Sequence, residues 1–181
     1  MHPGFIPRNH PNGVKKRGVD DVIDDRETPP CVFDPLHEEF RFTLDAAAAK
    51  HNAKCPHFCT LLGTWDTRVG VEFDLRDGLR YPWAGERVFI NPPFSVLRPW
   101  VEKAWSDAAE VVAMVLPNNR GEQPFWQDLI EPHRDKPGSI LTTRNLRKRR
   151  PFLHNGAVIG NRTSKSPPFG LVLVIWDRRR P

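Results

Sequence analysis

The chain has 181 residues, 39% hydrophobic and 27% charged, with a formal net charge of +5. That length suits one core, and no apolar run approaches the roughly 20 residues that span a bilayer. The start, "MHPGFIPRNHPNGVKKRG", lacks the apolar stretch of a signal peptide, so a soluble, cytoplasmic protein without membrane contact is expected. Three cysteines, Cys31, Cys55 and Cys59, are an odd number in a chain with no secretion signal, which argues for reduced thiols over a disulfide framework. The basic balance, with a pI near 9.4, favours a polyanionic partner without naming one.

Residues 1–27 mix Pro, Gly and charges of both signs without periodicity and predict a flexible basic tail, leaving 28–181 as a single domain. In "TPPCVFDPLHEEF", Thr28 is placed as an N-cap with Pro29 at the first helical position, and Pro35 is expected to end or kink the helix near Asp34. "FRFTL" (Phe40 to Leu44) alternates as a strand does, with Asp45 at its end. "AAAAKHNAKC" reads as the start of a helix that Pro56 limits. From Thr60 to Arg87 the signals are weak: short strands and turns, including "RDGL" at Arg76 to Leu79.

Val88 to Ile90 then read as a buried strand and Leu97 onward as a helix, because Leu97, Trp100, Val101, Ala104, Trp105 and Ala108 recur at helical spacing. "VVAMVL" (Val111 to Leu116) is a continuous apolar run of the kind found in parallel strands covered on both faces. "EQPFWQDLIEP" predicts a short helix ended by Pro132, "SILTT" a strand, and "GLVLVIW" (Gly170 to Trp176) the clearest strand of the chain. This alternation predicts a doubly wound α/β sheet, whose ligands bind at the carboxyl ends of its strands. Asp45 and Asn91 both fall at such ends.

Between the strand and the helix stand Asn91-Pro92-Pro93-Phe94. Two consecutive prolines remove two backbone donors and fix two φ angles, so the turn is stiff and leaves carbonyls free. The Asn91 side-chain oxygen and the Pro92 carbonyl are then two acceptors held close together. Two convergent acceptors suit an exocyclic amine, and Phe94 offers a face for the ring that carries it. Acceptors fixed in advance would also stabilise positive charge on that nitrogen as it is alkylated. The plainer alternative is a tight exit turn with Phe94 in the core.

The pieces "TPPCVFDPLHEEFRFTLDAAA", "NAKC", "DGLRYPW", "VFINPPFSVLRPWVEKA", "VVAMVLPNN" and "PPFGLVLVIW" resemble, in order, the phage-type DNA N-6-adenine methyltransferases (the Dam-like family). The resemblance runs from Thr28 to Trp176. It implies a Rossmann-like, S-adenosylmethionine-dependent methyltransferase sheet with helices on both faces and a last strand inserted antiparallel. It implies S-adenosylmethionine as methyl donor, double-stranded DNA as partner, and an adenine flipped out of the stack onto Asn91, Pro92, Pro93 and Phe94. "LDAAA" matches the family's cofactor segment, so Asp45, with the small Ala46 and Ala47, is the candidate for the methionine end. Thr28 and Asp77 are further candidates at the cofactor pocket. Phe94 stands where many relatives carry Tyr. The same resemblance implies a phage or prophage origin and a bacterial host. A monomer is expected.

"RNLRKRR" supplies Arg144, Arg147, Lys148, Arg149 and Arg150, read as a patch for the DNA backbone that positions the duplex without reading sequence. "HNGAVIGNRTSKSPP" is a polar excursion suited to an arm that enters a groove. "HNAKCPHFC" gathers His51, Cys55, His57 and Cys59, but lacks the two separated pairs of a structural zinc site, and no metal is assigned. The rival functions are methylation of cytosine N-4 or of a protein glutamine amide, a non-catalytic DNA-binding protein with a degenerate methyltransferase fold, and a zinc-stabilised binding module.

Overall fold

The apolar runs read from the sequence form the middle of one sheet. The computed structural model describes residues 26–68, 71–74, 76–154, 157–158 and 168–179. Within them the strands are β1 (Leu44–Asp45), β2 (His57–Cys59), β3 (Thr64–Asp66), β4 (Val71–Asp74), β5 (Arg87–Ile90), β6 (Val111–Pro117), β7 (Leu141–Asn145), β8 (Leu153–His154), β9 (Ala157–Val158) and β10 (Leu171–Asp177). The helices are α1 (Pro30–Phe40), α2 (Arg98–Ser106) and α3 (Pro124–Leu129). Eight strands form one mixed sheet in the order β4-β3-β2-β1-β5-β6-β10-β7, and β8 and β9 form a separate hairpin. The pairs β2–β1, β1–β5 and β5–β6 are parallel. The last strand, β10, lies between β6 and β7 and is antiparallel to both.

Side-chain alternation divides the apolar residues between two layers. Val112, Met114 and Leu116 of β6, with Val172, Val174 and Trp176 of β10, pack with Trp100, Val101 and Ala104 of α2 and Phe125 and Trp126 of α3. The intervening Val111, Ala113, Val115, Leu171, Leu173 and Ile175 pack with Val32, Phe33, Leu36 and Phe40 of α1 on the other face. The fold is therefore mixed α/β with a helical layer on each face. Burying each of these aliphatic side chains contributes about 2 kcal/mol, and seven consecutive buried residues in both β6 and β10 make the pair the centre of the core. No helix among the described residues is long and apolar enough to cross a membrane.

Four local expectations are corrected. Pro35 does not end α1: the helix runs through it to Phe40. The carbonyl that loses its partner belongs to the exposed Cys31, within reach of water, while Val32, Phe33, Leu36 and Phe40 anchor the helix to the sheet. Phe40 closes that helix instead of opening a strand, because Arg41 turns left-handed (φ 52°) and the chain becomes extended only at Leu44. The alanine run forms turns, not a helix. Its amides are diverted, Ala48 N–H to the Cys59 carbonyl at 2.9 Å and Ala49 N–H to Asn52 Oδ1 at 2.7 Å, and such side-chain and tertiary bonds outcompete helical ones. Thr28 is not a cap: Pro29 occupies the N-cap position, without a side-chain hydrogen bond.

Candidate active site

At the carboxyl end of β5 the chain turns through Asn91 to Phe94 before α2 begins at Arg98. The Val96 N–H bonds the Pro93 carbonyl at 3.1 Å and closes the turn. No described residue donates to the Pro92 carbonyl. The Asn91 amide is oriented by a contact from far away in sequence, its Nδ2 donating to the Arg26 carbonyl at 2.6 Å. With the amine side committed, Oδ1 faces the other way, buried and without a hydrogen-bond partner. A buried acceptor left unmet costs roughly 1–3 kcal/mol, so something must repay this arrangement.

Arg26 itself is held by its neighbour. Glu27 exchanges two backbone hydrogen bonds with Leu153, at 2.8 and 3.0 Å. The Arg26 guanidinium lies 5.6 Å from the centre of the Phe152 ring. Phe152 meets Phe94 edge-on at 5.8 Å, and Phe169 does the same from another side at 6.1 Å. Phe94 is half-buried and touches both core layers, which leaves it within an aromatic cluster at the junction of three segments. Arg26 and Glu27, assigned to the tail from sequence, thus pack against the Asn91 turn and Leu153, and the expected tail before them lies outside the described residues. Thr28 follows, with its Oγ1 buried and unpartnered.

Asp45 ends β1, next to β5. Its carboxylate accepts the Lys54 N–H at 2.9 Å on Oδ2 and, more weakly, the Ala47 N–H at 3.4 Å on Oδ1. Burial pushes its pKa up to about 6, with the two amides and the Lys54 charge pulling it partly back. Asp45 thus organises the loop that carries Ala46 and Ala47. Asp77 accepts the N–H groups of Leu79 and Arg80, at 3.1 and 3.0 Å, in a tight turn. The two loops are in contact through Gly78, where a Cβ would stand 1.8 Å from the Ala46 carbonyl oxygen. Asp45, Ala46, Ala47 and Asp77 therefore gather at one place, next to the Asn91 turn, because Ala46 N–H bonds the Phe89 carbonyl at 3.0 Å.

A family model described as DNA N-6-adenine-methyltransferase (Dam) matches residues 15–133, a span that contains Thr28, Asp45, Asp77 and the whole Asn91–Phe94 turn. The chain belongs to this family. It is an enzyme, a DNA N-6-adenine methyltransferase. No curated protein matches it.

Enzymes of the Dam family use S-adenosylmethionine. The residues at this end of the sheet fit such a donor chemically. It is cationic at its sulfonium and carries an ammonium and two ribose hydroxyls, and the region offers the Asp45 and Asp77 carboxylates together with a buried, unpartnered Thr28 hydroxyl.

The basic run divides. Arg144 sits in β7 and is held in a two-pronged ion pair with Glu39, at 2.5 and 2.6 Å, beside the Phe40 ring. Arg147, Lys148 and Arg149 are exposed and Arg150 is half-buried. Most of the arm from His154 to Pro168 lies outside the described residues. Among the zinc candidates, His51 is exposed while Cys55, His57 and Cys59 are buried. Burial pushes both thiols up, Cys59 to about 12, and Cys59 Sγ accepts from Thr64 Oγ1 at 3.3 Å. No group of three potential metal ligands occurs among the described residues.

Sequence reasoning found the Asn91 turn and missed Arg26, Phe152 and Gly78. Arg26 acts through its carbonyl, which no side-chain pattern reports. Phe169 was within reach, since "PPFG" resembles the family just before the last strand.

Proposed function

We propose that the chain methylates the exocyclic N-6 amine of adenine at specific sites in double-stranded DNA, by flipping the base out and transferring the methyl directly, within a single Rossmann-like domain over residues 28–181. The observation that carries this reading is the Asn91 amide, pinned by the Arg26 carbonyl so that Oδ1 is presented without a partner. An adenine amine has two N–H donors, and Asn91 Oδ1 with the Pro92 carbonyl accepts both. That pairing holds the nitrogen in place, raises its electron density, and stabilises the positive charge that grows on it during attack. Phe94 lies against the face of the flipped base, within the aromatic cluster it shares with Phe152 and Phe169.

S-adenosylmethionine, when bound, supplies an electrophilic methyl group. Asp45, Ala46, Ala47, Asp77 and Thr28 form the bed for it. The adenine nitrogen loses one proton to solvent, and no covalent enzyme intermediate is required. Arg147, Lys148, Arg149 and Arg150 meet the phosphate backbone, which fixes the duplex without reading its sequence. Arg144, committed to Glu39, reaches DNA only by giving up that pair.

The test incubates the purified chain, beside its Asn91→Ala variant, with unmethylated duplex DNA and methyl-labelled S-adenosylmethionine, then digests the DNA to nucleosides. Label is expected in N-6-methyl-2′-deoxyadenosine and lost in the variant. Label in cytosine, or none on DNA despite cofactor binding, would sink the adenine reading in favour of another planar amine.

A further inference from the structure

The strand next to the Asn91 turn leads to a second feature that the methyl-transfer chemistry leaves unused. β6 runs parallel to β5, with Ile90 opposite Met114, and ends at Pro117 on the same side of the sheet as Asn91. The following residues, "NNRG", are tied to the aromatic cluster. Asn118 N–H bonds the Gly170 carbonyl at 3.0 Å, and the Asn118 side chain lies so close to Gly170 that a Cβ there would stand 2.6 Å from its Nδ2. Gly170 follows Phe169, whose ring meets Phe94. Arg120 stands two residues beyond Asn118, its backbone fixed by the Gln123 N–H on its carbonyl at 3.0 Å.

Arg120 is half-buried, and its Nε is enclosed without a hydrogen-bond partner. Four other partly buried arginines differ. Arg87 reaches Glu110, Arg134 reaches Glu131, Arg144 reaches Glu39, and Arg178 reaches the carbonyls of Ala104, Trp105 and Ala109. A guanidinium cannot shed its charge, and enclosing one of its donors without an acceptor is costly. Arg120 has the geometry of a residue awaiting an anionic oxygen.

We propose that Arg120 binds a DNA phosphate beside the target nucleotide and so anchors the backbone from which the base is turned out. The inference rests on the DNA-adenine reading of the same site. Phosphate is the anion that fits, because a flipped nucleotide on the Asn91 turn brings its own flanking phosphates to this end of the sheet, where β6 also ends. A guanidinium matches two phosphate oxygens with parallel N–H bonds. The carboxylate of the methyl donor is the competing source of an anion, and the test separates the two.

The experiment compares the full chain with its Arg120→Gln and Arg120→Lys variants. Binding to a fluorescent duplex is measured without cofactor across a salt series, and S-adenosylmethionine binding is measured separately by calorimetry. Arg120→Gln is expected to weaken duplex binding about tenfold, as loss of a charge-assisted hydrogen bond does. It should also lower the slope of log affinity against log salt by about one, with cofactor affinity unchanged. Arg120→Lys should restore the slope. Melting of Arg120→Gln should be unchanged or higher, since an unmet charge is removed. A fall in cofactor affinity with intact DNA binding would assign the arginine to the donor's carboxylate and overturn the proposal, as would no change in either. Normal methylation by the wild type in those cases leaves the adenine reading standing. A wild-type chain that neither binds nor methylates duplex DNA removes both.

Discussion

The two ends of the same parallel strands have opposite polar economies. At the amino ends of β1 and β5, Thr43 and Arg87 bond each other in both directions, at 2.7 and 2.9 Å, and Thr43 Oγ1 also donates to Glu86. Glu86 faces His57 Nδ1 at 3.5 Å, and Arg87 reaches the Arg41 carbonyl at 2.7 Å and Glu110 at 3.2 Å. At the carboxyl ends, Asn91 Oδ1 and Arg120 Nε, with Thr28 Oγ1 on the segment that meets Asn91, are buried without partners among the described residues. Isolated orphans occur elsewhere, at His37, Thr142 and Trp176, so one such atom identifies nothing. Three at one end of the sheet, beside a stiff Pro-Pro turn, set that end apart from the satisfied one. Buried polar groups without internal partners are what a protein keeps where a ligand completes the network.

The sharpest way to break this contrast is a pair of substitutions, one at each end. Asn91→Ala should lower the rate of methyl transfer by about 10²–10³, the loss typical of removing one preorganised polar contact from a reacting centre, with the melting temperature little changed. A variant retaining more than a third of the wild-type rate would mean that Oδ1 does not face the amine. Next in size is the junction of the cofactor loops. Gly78→Ala forces a Cβ into the Ala46 carbonyl, a backbone obstacle that cannot rotate away. Destabilisation of about 2–3 kcal/mol is expected by denaturant titration, and an unperturbed midpoint would mean the loops are not in register.

Asp45 provides a pH test at the carboxyl end of the strands. With its pKa raised to about 6, it is neutral below that pH and anionic above it. Affinity for the cationic methyl donor should therefore rise about tenfold from about pH 5 to about pH 7, and Asp45→Asn should flatten the profile measured by calorimetry. A wild-type profile already flat would leave Asp45 to its loop-organising bonds alone. The smallest effect belongs to the structural end. Glu86→Gln should cost about 1 kcal/mol while methyl transfer continues at the wild-type rate. His57 and the Thr43 hydroxyl hold the Glu86 pKa below its ordinary value. Its contribution is therefore present above the usual glutamate range and lost as pH falls through the lowered pKa, so the gap between wild type and variant in thermal melts should close in acid. A gap that persists there would break the contrast.

Much of this was legible from residues alone, for reasons that differ by element. Strands β5, β6, β7 and β10 and helix α2 announce themselves because their apolar periodicity is the packing that stabilises them. The Asn91 turn was legible because two prolines allow few conformations. The alanine run misled because helix propensity is a weak bias, and Asn52 with the Cys59 carbonyl offered its amides better partners. Pro35 misled for the opposite reason: one lost hydrogen bond at a solvent-facing position weighs less than four anchoring apolar side chains. Thr28 was noticed for the wrong local reason, as a cap, and instead has its hydroxyl buried and without a partner among the described residues.

The sequence by itself determined the alternation of strands and helices, the stiff acceptor-bearing turn at the end of β5, and the resemblance that the family match bears out, since all three are written in local patterns of residue type. Only the tertiary structure decided which way Asn91 points, that Arg144 is already paired with Glu39, and that Arg120 Nε has no partner among the described residues. Those outcomes depend on contacts between segments 65 and 105 residues apart. A side chain's chemistry is carried in its letter, but whether that chemistry is already satisfied depends on what the rest of the chain brings to it.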